Sequence, residues 1–105
     1  MLMFRQQDRE RVARGEITVT YRLWQRARVK SGKQYATGFG TVEVDDVRVM
    51  PAALVDDGDL AATGCESVRA IWESAGEHTK AVITPETLLH RVAFRFLTQP
   101  DDRVV

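Results

Sequence analysis

Four side chains spaced two apart, Thr18, Thr20, Arg22 and Trp24, are the first in this 105-residue chain whose types could act together. On an extended backbone, residues two apart share a face. Two hydroxyls, a guanidinium and an indole would then stand in one row. Such a row suits a phosphate or a base edge, because arginine forks bidentately onto anionic oxygens and hydroxyls both donate and accept. A second group follows at once: Trp24 with Arg26, Arg28, Lys30 and Lys33. An aromatic beside a basic groove can hold a single strand without reading its sequence, each stacked base contributing ~1–3 kcal/mol. Each group also has a plainer reading. The row could be an ordinary solvated strand face, and the indole could simply pack under one end of the domain.

The remaining reactive residues point to less. Cys65 reads as a small packed residue rather than a nucleophile, since no histidine is near it in sequence. His90 falls on the apolar side of the last strand and reads as buried or barrel-lining, while His78 lies in a polar loop. Two histidines without HxxxH or CxxC spacing predict no metal site, and no motif calls for a cofactor. "DDGD" at 56–59 lacks the length and closing glutamate of a calcium loop, so helix capping explains it better. "GFG" at 38–40 is no phosphate loop, because no helix follows it.

The elements that must position these residues can be read from period and punctuation. Gln7–Arg14 reads as a helix with Val12 and Ala13 inward, closed by Gly15. Ile17–Trp24 alternates, with Ile17, Val19, Tyr21 and Leu23 on the buried side of a strand. "KSGKQ" turns around Gly32, and Lys33–Thr37 is a short strand. Thr41–Met50 is a longer strand whose inward positions change parity at Asp45–Asp46, which predicts a β-bulge. Asp56–Ala62 reads as a short helix capped by aspartates and closed by Gly64. Ser67–Ala75 is a second helix, with Val68, Ile71 and Trp72 on one face. Thr84-Pro85-Glu86 marks a turn, Leu89–Leu97 a final strand, and 98–105 a frayed tail. Without regular βαβ alternation, the class is α+β with a mostly antiparallel curved sheet or small barrel, as one domain over 1–97.

Composition excludes several classes. At 44% hydrophobic and 29% charged the chain is neither disordered nor membrane-spanning, and no apolar run approaches the ~20 residues a bilayer requires. "MLMFRQQDRER" meets charge after four apolar residues and does not read as an export signal; with one cysteine, a reducing cytoplasm is expected. The net charge of zero hides a split. Residues 5–34 carry nine bases against three acids, and residues 43–77 carry nine acids against two bases. Such a split fits a nucleic-acid-facing surface. It equally fits two halves that pair with each other, or a head-to-tail homodimer.

The order of short motifs resembles one family. A helix ending in glycine is followed by "G-x-x-T-x-T-x-R-x-W", a basic turn, "GTVEVDDVRV", an acidic short helix leading to "GCES", a tryptophan-bearing helix and a closing "VAFRFL". This resembles the ASCH domain family of the PUA-like superfamily, from about Phe4 to Leu97. The resemblance implies a β-barrel of five to six strands with two to three short helices, and a cleft that binds RNA or a modified nucleotide. Some members are amidohydrolases of acylated cytidines, with a lysine, a threonine and a glutamate as their catalytic set, and some are reported as ribonucleases. Position by position, Gly15, Thr20 and Arg22 match the motif, but Ile17 stands at the lysine and Thr63 at the glutamate. Neither side chain can carry a proton near neutral pH. The resemblance therefore implies a binding cleft with Thr20 and Arg22 as its floor and Trp24, Arg26, Arg28, Lys30 and Lys33 as its basic rim. An enzyme on the same cleft is the alternative, and a protein-interaction module the next.

Overall fold

The computed structural model describes residues 2–77 and 82–97. In chain order these form α1 (Gln6–Ala13), β1 (Val19–Arg22), β2 (Gln34–Ala36), β3 (Thr41–Pro51), two 3-10 turns (Ala52–Leu54 and Asp57–Asp59), α2 (Leu60–Thr63), α3 (Val68–Ala75) and β4 (Leu88–Leu97). The class is α+β, and the strands make one curled antiparallel sheet of order β1-β4-β3-β2.

The helix signals act where the sequence placed them. Gly15, at φ 79°, takes the left-handed conformation just past α1 and donates its N–H to the Val12 carbonyl. Ser67 caps α3 by accepting from the Ala70 N–H at 3.1 Å, and Asp56 accepts from Gly58 at 2.9 Å. Ala13 corrects the expected inward pair. Val12 alone of α1 is buried, because the next residue lies 100° further round the helix.

β3 and β4 are the longest ladder, and the bulge is where the parity shift predicted it. Val44 pairs with Phe94 and Asp46 with Ala93, so Asp45 is the extra residue. Side chains directly opposite in a ladder share a face. One face therefore carries Thr20 and Arg22 of β1 with His90, Val92 and Phe94 of β4 and Val44 and Val47 of β3. The other carries Val19 and Tyr21 with Leu89, Arg91 and Ala93. Both faces are covered. The first holds a core of Leu2, Val12, Ile17, Val29, Val42, Val44, Val92 and Phe94. The second packs Val19, Tyr21 and Leu89 against Ala52, Val55, Ile71 and Ala75. Trp72 sits at the edge of this second core and donates its Nε1–H to the Ala52 carbonyl at 3.1 Å.

Two expectations need correction. The five to six strands become four among the described residues. After β3, the described residues 52–77 are taken up by turns and helices, which Asp56, Gly64 and Ser67 punctuate. The β1 strand is also shorter than Ile17–Trp24, and its alternating row is no solvated outer face. Val92 and Phe94 lie on that side, so Thr18, Thr20, Arg22 and Trp24 are all half-buried. His78 and the tail 98–105 lie outside the described residues.

The two edge strands, β1 and β2, are bridged by the residues ahead of α1. The Leu2 N–H donates to the Ala36 carbonyl of β2 at 2.9 Å. The Met3 carbonyl accepts from Arg22 Nη2 of β1 at 2.6 Å. Leu2 itself is 1% exposed within the first core.

Candidate functional site

Thr20 and Arg22 meet through a hydrogen bond along β1. Arg22 Nε donates to Thr20 Oγ1 at 3.0 Å, its Nη2 to the Met3 carbonyl, and its guanidinium carbon lies 5.2 Å from the centre of the Phe4 ring. No carboxylate forms a salt bridge with it among the described residues. Burial pushes the group down to about 10, while the more distant Glu77 works the other way, and it stays a cation at neutral pH.

Beside it lies a narrow pocket lined by Phe4, Asp8, Ile17, Thr20, Thr63 and Cys65 among others. The three positions that the family resemblance singles out, Ile17, Thr20 and Thr63, thus share one cavity. Their chemistry is inert. Ile17 is 3% exposed and belongs to the first core. Gly64, at φ 71°, approaches it so closely that a Cβ there would lie 2.8 Å from Ile17 Cδ1. The Thr63 hydroxyl donates back within its own turn, to the Asp59 carbonyl at 2.7 Å or the Leu60 carbonyl at 3.2 Å. Cys65 is half-buried with its Sγ 3.8 Å from the Thr63 carbonyl. No group of three or more His, Cys, Asp and Glu side chains among the described residues could hold a metal.

The basic segment behaves differently. Its backbone is pinned. Gly32 N–H donates to the Val44 carbonyl at 2.7 Å, Val44 N–H to the Lys33 carbonyl at 2.9 Å, and Ser31 Oγ to the carbonyl of bulge residue Asp45 at 2.8 Å. Lys30 N–H donates to Tyr35 Oη, and Val29 is buried as an anchor. The bulge thus seats the loop, since an unpaired bulge residue leaves its carbonyl for another donor. The side chains of Arg26, Arg28, Lys30 and Lys33 are all exposed, and none forms a salt bridge among the described residues. Trp24 does not stand with them on the surface. It packs on the first core with its ring centre 5.4 Å from that of His90. His90 is 4% exposed with Nδ1 unpartnered, and burial lowers its pKa.

The charge halves do not neutralise each other. Between bases of 5–34 and acids of 43–77 the described residues show one ion pair, Arg5–Glu77 at 3.8 Å. Glu43 and Asp45 are met by Arg95, Asp46 by Arg48, and Asp59 by Arg91.

That last pair belongs to a cluster that sequence reasoning missed. Arg91 forks onto Asp59, with Nε to Oδ2 at 2.8 Å and Nη2 to Oδ1 at 3.1 Å, and Tyr21 donates its hydroxyl to the same Oδ2. Arg91 and Tyr21 are directly opposite on β4 and β1. The fork from Arg91, helped by Tyr21, holds the Asp59 carboxyl below its ordinary value. Burial and the bond to Asp59 push the Tyr21 hydroxyl well up. The clamp ties the turn that leads into α2, and with it Thr63 and Gly64, to the sheet. Asp59 looked like one helix-capping aspartate among several; only the register of β1 against β4 could have picked it out.

No family model matches the chain, and no curated protein matches it. Among solved structures, the fold is similar to that of protein EF3133 from Enterococcus faecalis V583, assigned to family model DUF984. The TM-score is 0.62 with 15% identity, covering 84% of this chain and 68% of that one. At that identity the likeness shows the fold alone. No helix among the described residues is long and apolar enough to cross a membrane.

Proposed function

We propose that this chain is an ASCH-like domain of the PUA superfamily that binds single-stranded RNA through the loop from Arg26 to Lys33. One observation carries the reading: four cations within eight residues stand exposed and, among the described residues, without carboxylate partners, on a backbone fixed to the β-bulge. Arg5, Arg11, Arg14, Arg48, Arg91 and Arg95 all face acids. A rigid comb of unneutralised cations suits a phosphate backbone, and phosphate contacts position a strand without reading its bases. The convergence of Ile17, Thr20 and Thr63 on one pocket supports the family resemblance, as does the fold likeness. The contents of that pocket favour binding over hydrolysis, since it offers no lysine or glutamate at the positions where hydrolase members keep theirs.

The test is fluorescence anisotropy with a labelled single-stranded RNA, comparing the native chain with a variant in which Arg26, Arg28, Lys30 and Lys33 are all glutamine. Losing four phosphate contacts should weaken binding about 10²–10³-fold near 0.1 M salt. Equal affinity of the two proteins would refute the loop as the interface.

A further inference from the structure

The segment 2–5 does more than bridge the sheet edges. It occupies one arm of a half-buried arginine. A guanidinium has five N–H donors and grips a phosphate through a pair of them. In Arg22, Nε is taken by Thr20 and Nη2 by the Met3 carbonyl, 2.6 Å away. Nη1 shows no hydrogen-bond partner among the described residues and is not one of the fully buried unpartnered atoms, which are Arg9 Nε and His90 Nδ1. The fork is therefore half open and half stoppered by a neutral backbone oxygen. A carbonyl is a weaker acceptor for a guanidinium than an anionic oxygen, because hydrogen bonds between two charged groups are shorter and about twice as strong.

We propose that residues 2–4 form a latch over an anion subsite made by Arg22 and Thr20, and that a phosphate group binds there by displacing the Met3 carbonyl from Nη2. The proposal deepens the RNA-binding reading and rests on it for the source of the phosphate. Three features make the segment a latch rather than a fixed part of the sheet. Among the described residues its hold on β2 shows a single backbone hydrogen bond, Leu2 N–H to the Ala36 carbonyl. Its hold on β1 is the bond that the ligand would replace. Its exposed side chain, Met3 at 59%, contributes little packing, so Leu2 and Phe4 are the anchors. Phe4 lies under the Arg22 guanidinium and lines the pocket beside Thr20. The ring can stay in place and orient the cation after the Met3 carbonyl has left. Among the described residues Arg22 forms no salt bridge: Glu77, which acts on it from a distance, and Asp8, which lines the neighbouring pocket, both pair with Arg5.

The experiment is amide hydrogen exchange on the native chain with and without a short single-stranded RNA. The latch predicts that the Leu2 N–H exchanges about tenfold faster in the RNA complex, while amides of β3 and β4 exchange no faster. A purely structural segment predicts the reverse, since binding slows exchange generally. A Leu2 amide unchanged or slowed in a complex that anisotropy shows to be formed overturns the latch and leaves the loop interface standing. If RNA does not bind at any salt, the functional reading falls by itself. The latch is then decided with inorganic pyrophosphate, followed through the Arg22 Nε–H resonance. Leu2→Ala should bind pyrophosphate about tenfold more tightly than the native chain, and Leu2→Ala with Arg22→Gln should not bind it. Equal affinity of Leu2→Ala and the native chain refutes the latch.

Discussion

Arg91 and Arg28 carry the same guanidinium in opposite surroundings. Arg91 is closed off by both oxygens of Asp59 and by the second core behind Tyr21. Arg28 stands exposed, six residues past the end of β1, with no acid among the described residues to meet it. The two regions show charge used in two ways. On the helix-covered face, charge holds the fold together, and every member of the clamp has a partner. On the loop, the backbone hydrogen bonds hold the fold together and the charge is left over. A surface kept that way costs self-repulsion, which the proposed polyanionic partner would offset.

The contrast predicts where substitutions will hurt. The largest effect belongs to the packed side of the clamp. Ile71→Ala, at a position 1% exposed, should cost about 2–5 kcal/mol in a urea melt. Asp59→Ala should cost about 2–4 kcal/mol, since it strands Arg91 and the Tyr21 hydroxyl together in a site where their side chains have little access to water. A loss under 1 kcal/mol would mean that water already serves Arg91.

Acid should separate the regions as well. The folded Asp59 carboxyl lies below its unfolded value of about 3.9. Its contribution to stability is therefore full above about pH 3.9 and is lost as pH falls through the folded value. His90, also lowered, loses its contribution earlier, as pH falls below about 6.5. Replacing Asp59 with Asn should flatten the lower part of the acid limb, measured as the urea midpoint against pH, and an identical limb would contradict the clamp. The loop variant with four glutamines should melt within about 0.5 kcal/mol of the native chain, because surface charges without partners contribute little to folding. A large loss of stability there would show that the loop charges serve the fold after all. The smallest expected signal is catalytic. The native chain should turn over N4-acetylcytidine at background rate, and clear product formation would restore the enzyme reading.

Much of this was legible in the sequence, and the reasons are local. Gly15, Gly64 and Ser67 punctuate helices by their own backbone and side-chain preferences. The parity change at Asp45–Asp46 is visible because one face of a strand must stay apolar. The charge split and the run of bases from Arg26 to Lys33 can be counted directly along the chain. What failed depended on distant partners. A strand covered on one face and a strand covered on both can share the pattern of Ile17–Trp24, and only the residues opposite, Val92 and Phe94, decide between them. Trp24 looks equally like a stacking platform and a core residue until His90 is found beside it. The Asp59–Arg91–Tyr21 clamp spans 32 and 38 residues of sequence, so no local pattern could reveal it. The strand count was taken from a family resemblance, whereas the helical punctuation of 52–77 was present in the chain throughout.

The most direct test of the central claim is the salt dependence of RNA binding. With about three to five phosphates neutralised by the loop together with Arg22, log K should fall against log salt with a slope of roughly −2 to −3.5, and the four-glutamine variant should reduce that slope to no more than about −0.7, the share of one phosphate at Arg22. A flat profile for the native chain, or the same slope for both proteins, would contradict it.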